Sequence, residues 1–163
     1  MLIGRTTTLN DVEQRLVKTV ASMRNKDNRM KGIPDRKIGG DDSVSLDVQG
    51  FGGEIAFSKT FNVYPDLVIS ARRSAADEGD VKWNGLRIDV KATPRDEGDL
   101  LVPVWKKKNA EQIDGYALMT GAFPTYCYRG MITTENVFQE HWLRDLGRGD
   151  TYVVPQNELK ELI

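Results

Sequence analysis

The stretch that decides the fold is residues 80–91, Asp-Val-Lys-Trp-Asn-Gly-Leu-Arg-Ile-Asp-Val-Lys. Asn84-Gly85 is a strong two-residue hairpin signal, because both residues tolerate the positive φ that a type I′ turn requires. The spacing predicts antiparallel strands over 80–83 and 86–92, with Trp83 facing Leu86 and Asp80 falling opposite Asp89. Side chains alternate along a strand, so Arg87, Asp89 and Lys91 share one face while Leu86, Ile88 and Val90 share the other. Carboxylates directly opposite each other destabilise a sheet. A divalent cation between Asp80 and Asp89 would remove that repulsion, with the Val90 carbonyl as a further ligand.

Upstream, Asn10 and Glu13 have capping-box spacing, and Val12, Leu16, Val20 and Met23 recur on one helical stripe, which predicts a helix over 10–29. Its polar side carries Arg15, Lys18, Arg24, Lys26 and Arg29, either a phosphate-tracking face or a solvated one. Residues 32–42 read as a loop. Val44, Val48, Phe51, Ile55 and Phe61 predict a second helix over 43–61. There Gly50, Gly52 and Gly53 each cost about 1 kcal/mol relative to Ala, so close packing against a sheet is expected to justify them. Glu54 stands on or beside its apolar face, where an unpaired carboxylate is costly.

Extended runs at 67–70, 100–104, 116–122 and 126–133, a polar loop at 72–79, a turn at Phe123-Pro124 and a last helix over 134–146 complete the pattern. There is no alternating strand–helix series. The expectation is one α+β domain in three layers, a central mixed β-sheet flanked by helices. Its parts are a basic helix and loop (1–42), the core (43–133), and a C-terminal helix and tail (134–163).

The 163 residues include 23 Lys+Arg, 24 Asp+Glu, one His and one Cys. Cys127 and His141 cannot supply a disulfide or a Cys/His zinc cluster, so any metal must sit on oxygen ligands, which points to magnesium, manganese or calcium. No run approaches the ~20 apolar residues of a membrane span, and a soluble, cytoplasmic protein is expected. The near-zero charge is unevenly laid out. Residues 1–37 carry nine basic and four acidic residues, and residues 41–99 seven and twelve. An acidic middle beside a basic segment suits a carboxylate metal site in a polyanion-binding groove.

Asp80, the Asn-Gly hairpin and Asp89-Val90-Lys91, preceded by Glu54 on a helix, resemble the active-site signature of the PD-(D/E)XK nuclease superfamily over roughly residues 50–120. The resemblance implies a restriction-endonuclease-like fold and Mg²⁺-dependent (or Mn²⁺-dependent) hydrolysis of DNA, with a homodimer as the expected assembly. Asp80 and Asp89 are then metal ligands, Lys91 activates the attacking water, and Glu54 is an outer ligand or base partner. Lys106, Lys107 and Lys108 after the fourth strand, and Arg72 and Arg73 in the loop, could meet phosphates, although a lysine run is most often a solvated turn. Gly79 precedes Asp80 where the family has Pro, and a literal Pro65-Asp66 occurs earlier, so Asp66 stays open as the first ligand. Asp80 is preferred for its hairpin register, since Asp66 has no predicted pairing. Gln112 and Tyr116 have a spacing similar to the Gln-xxx-Tyr motif of RecB-like nucleases. The alternative is a catalytically inactive nucleic-acid- or protein-binding domain that keeps the nuclease fold. Trp83, Trp105 and Trp142 are expected in the core or on strand faces.

Overall fold

The structure, a computed structural model, describes residues 1–32, 43–69 and 79–161. Strand β1 (Thr6–Thr8) leads into helix α1 (Asp11–Met30), whose capping box forms as the spacing predicts. The Glu13 amide donates to Asn10 Oδ1 at 2.9 Å and the Asn10 amide to Glu13 Oε2 at 2.7 Å. The apolar stripe is rotated from the expected one. Val17, Val20 and Ala21 are buried, whereas Val12 and Met23 are exposed, because α1 packs along a narrow seam on its neighbour.

That neighbour is α2 (Ser43–Phe61), which buries Phe51, Ile55, Ala56 and Phe57 against the main sheet. Gly52 and Gly53 have the tertiary reason the sequence calls for, against Tyr126 and Ala92, whereas Gly50 has nothing within 4 Å of where its Cβ would stand. A Cβ on Gly53 would lie 2.6 Å from the Ala92 Cβ of the sheet, closer than packed carbons approach.

The strands are β2 (Val81–Trp83), β3 (Leu86–Thr93), β4 (Leu100–Pro103), β5 (Gly115–Thr120), β6 (Thr125–Thr133), β7 (Leu143–Asp145) and β8 (Asp150–Val154). Five form a mixed sheet in the order β1-β6-β5-β3-β2, with β3 and β5 parallel and the other neighbours antiparallel. The crossover between the parallel strands carries β4 and an irregular 3-10 helix, Val104–Gln112, broken at Asn109. The helices cover one face of this sheet in a cluster containing Ile88, Val90, Ala117 and Met119. On the other face Tyr116, Leu118 and Ile132 pack with Leu100, Val102, Tyr152 and Val154 of a second, antiparallel sheet, β4-β8-β7. The fold is thus α+β around a central mixed sheet, with helices on one side and a small sheet on the other.

Two expectations are overturned. The helix over 134–146 stops after one turn, α3 (Thr134–Val137). A 3-10 turn (Glu140–Trp142) and the hairpin β7–β8 follow, because Gly147 and Gly149 adopt positive φ and turn the chain, and Tyr152 and Val154 alternate inward against β4. The run 67–69 is no strand of either sheet and touches the sheet edge only through a bridge from Pro65 to Val81, and Ser70 lies outside the described residues. No helix among the described residues is long and apolar enough to cross a membrane.

Candidate functional site

The hairpin forms in the predicted register, Trp83 with Leu86, Lys82 with Arg87 and Val81 with Ile88. Asn84 and Gly85 have φ of 49° and 82°, the positive values that the two-residue turn requires. One residue further the register breaks, which corrects the expected pairing of Asp80 with Asp89. Gly79, at φ 86°, swings the chain so that the Asp80 amide donates to the Ile88 carbonyl at 2.8 Å. Asp80 Oδ2 accepts the Val90 N–H at 2.7 Å. The Asp80 carboxylate therefore takes the ladder position that a backbone carbonyl would hold, and Asp80 is buried at the margin of the sheet. The Val90 side chain belongs to the helix-side core.

Asp89 is the centre of the site. Its side chain is 2% exposed, on the strand face away from the helices. Lys91, two residues on and so on the same face, forms an ion pair with Oδ1, and Lys106 Nζ lies 2.9 Å from Oδ2. Oδ1 has no partner among the described residues besides Lys91. Burial alone would push this carboxyl up; the Lys91 and Lys106 ammoniums outweigh it and hold it below the ordinary Asp value. Sequence reasoning placed Lys106 among phosphate contacts and missed this role. The 3-10 helix points Lys106 inward and leaves Lys107 and Lys108 exposed. Trp105, expected in the core or on a strand face, is 43% exposed on the 3-10 helix, with Lys106 Nζ 5.2 Å from its ring centre.

The parallel register pairs Asp89 with Tyr116 and Lys91 with Leu118, so these four side chains share a face. Gln112, at the end of the 3-10 helix, keeps a buried Oε1 without a hydrogen-bond partner among the described residues. Arg87, also on this face, clamps the turn between them. Its Nε and backbone N–H donate to Asp114 Oδ2 at 2.9 and 2.8 Å, and a second guanidinium nitrogen donates to the Glu111 carbonyl at 2.9 Å. The Arg87 hydrogen bonds hold the Asp114 carboxyl below its usual range. Its signal was available, since Arg87 lies two residues from Asp89 on the same face.

Glu54 is not brought to Asp89. It sits in the helical layer on the opposite face of the sheet, 3.8 Å from Arg24 of α1, each side chain 12% exposed. Asp66 is closer than expected. The Pro65–Val81 bridge sets it alongside Asp80, with Oδ1 accepting the Val68 N–H at 2.8 Å and its carbonyl accepting from Arg24 at 2.9 Å. Arg72 and Arg73 lie outside the described residues. Among the described residues no group of three or more Asp, Glu, His or Cys side chains is gathered closely enough to hold a metal ion.

No curated protein and no solved structure gives a significant match to the chain. One family model matches residues 1–162, and its description is "Family of unknown function (DUF5843)". The chain therefore belongs to the DUF5843 family.

Proposed function

We propose that this chain is a metal-dependent nuclease that hydrolyses DNA phosphodiester bonds in the cytoplasm, directed to an end or a shape in the nucleic acid. The observation that carries the reading is the buried Asp89 carboxylate, kept ionised between Lys91 and Lys106, with Asp80 on the adjoining edge. The donor set fits Mg²⁺ or Mn²⁺, since Mg²⁺ needs only one or two protein carboxylates and fills its remaining positions with water and phosphate. Asp80 and Asp89 would hold the ion. Bound there, it supplies Lewis-acid polarisation of the phosphate and a water of lowered pKa.

The chain's own residues do the rest. Two carboxylates and two ammoniums leave the cluster near neutral, so an incoming phosphodiester is not repelled. Lys91 would donate to the attacking oxygen and stabilise negative charge growing on the phosphoryl group. Lys107 and Lys108, with Arg72 and Arg73, are proposed backbone contacts. Tyr116 stands beside Asp89 in the parallel register. Glu54, tied to Arg24 across the sheet, has no part in this mechanism.

Incubating plasmid, single strands and branched junctions with Mg²⁺ or Mn²⁺ tests the reading. Cleavage is expected, and Asp89→Asn and Lys91→Ala should each lower it by ~100-fold or more. If wild type cuts none of these, or both variants cut equally well, the proposal is wrong. The placement of Glu54 and the lack of a third acid among the described residues favour a second reading, a DNA-binding domain without turnover. That reading predicts metal-independent binding unaffected by Asp80→Asn.

A further inference from the structure

We propose that Lys106 is an internal counter-cation of Asp89, which a divalent metal ion must displace in order to bind; this rests on the metal-dependent reading above. A buried carboxylate needs compensation for lost water, and Asp89 has two ammoniums where one would serve. The two are attached differently. Lys91 stands on β3, paired with Leu118 of β5 in the main sheet, and cannot move far without its strand. Lys106 reaches in from an irregular 3-10 helix, outside both sheets and broken at Asn109.

Each oxygen of the buried Asp89 carboxylate already faces an ammonium, so a divalent ion that takes Asp89 as a ligand must displace one of them. Lys106 is the one whose support can give way. A second station is at hand, for its Nζ already lies 5.2 Å from the centre of the Trp105 ring, which is half open to solvent. Beyond it stand the exposed Lys107 and Lys108, where a phosphate would take up the displaced charge. Lys106 thus pairs with the buried Asp89 carboxylate without metal and turns toward the nucleic acid when metal arrives.

Mn²⁺ titration without nucleic acid, followed by electron paramagnetic resonance and by thermal melting, tests this. Lys106→Met, which keeps the apolar stem, should bind Mn²⁺ ~10-fold or more tightly than wild type and gain more in melting temperature from the ion. Lys106→Arg, which keeps the charge, should bind as wild type does, and Asp89→Asn should abolish binding. Should Lys106→Met fail to fold, Lys106→Gln serves in its place. Unchanged or weaker Mn²⁺ binding by the Met or Gln variant, while binding still depends on Asp89, overturns the Lys106 role alone. Absence of binding in wild type and variant alike, or binding that survives Asp89→Asn, overturns the metal reading together with it.

Discussion

Replacing Asp89 with Asn keeps the shape of the side chain and removes its charge, leaving the Lys91 and Lys106 ammoniums facing each other across a neutral amide. The cost follows from their exposure. Lys91, at 27%, can turn its ammonium to water; Lys106, at 11%, keeps a largely buried charge without its carboxylate. Removing one partner of a buried ion pair costs about 3–5 kcal/mol, and the escape open to Lys91 places this variant near the low end, about 3 kcal/mol. For a chain of this length that is a fall of roughly 6–12 °C in melting temperature. The difference from wild type must also depend on pH. Asp89 has a lowered native pKa, so its contribution is fully present above the unfolded value of about 3.9 and is lost as pH falls through the native value. Calorimetry at pH 7, 5 and 3 should therefore find a constant gap between pH 7 and 5 and a narrowing one toward pH 3. An Asn variant as stable as wild type at pH 7 would mean that desolvation outweighs both lysines, and the reasoning would fall.

Gly79→Ala places a Cβ at positive φ, 3.0 Å from the Ile88 carbonyl oxygen, and should cost about 1–2 kcal/mol while releasing Asp80 from the Val90 amide. Urea melts, and exchange of the Val90 amide proton by NMR, would report both effects, and a protected Val90 would count against them. Gly53→Ala overpacks α2 against Ala92 and should cost about 1–3 kcal/mol by the same melts, with an unchanged midpoint as the contrary result. Glu54→Gln should cost about 1 kcal/mol through the weakened Arg24 pair and leave Mn²⁺ binding unchanged. Loss of Mn²⁺ binding in that variant would return Glu54 to the metal site.

What could be read from the chain was local. Asn10 and Glu13 cap α1 through three residues of separation, and Asn84-Gly85 sets the hairpin register through two. Two of the three glycines of α2, Gly52 and Gly53, carried their meaning, as contacts with Tyr126 and Ala92 bear out, while Gly50 faces open space. What could not be read depends on distant partners. β8 is five residues long and owes its place to β4, some fifty residues earlier, so the run after Thr134 had a helical look with nothing local to oppose it. Asp80 was displaced by a single left-handed residue, Gly79, just outside the turn whose geometry could be predicted. The inward course of Lys106 follows from the crossover between β3 and β5, a parallel pairing that no hairpin signal announces.

That crossover also settles how the protein can be divided. The chain leaves the large sheet after β3, contributes β4 to the small one, and returns to the large sheet as β5, so the two are interleaved rather than joined end to end. The small sheet cannot be a separable appendage. Ending the chain at residue 134 would strip β4 of its β8 partner and uncover Tyr116 and Leu118, the neighbours of Asp89 and Lys91. Both sheets should melt in one cooperative transition, and a shortened chain should lose the Asp89 ion-pair cluster along with its C-terminal hairpin.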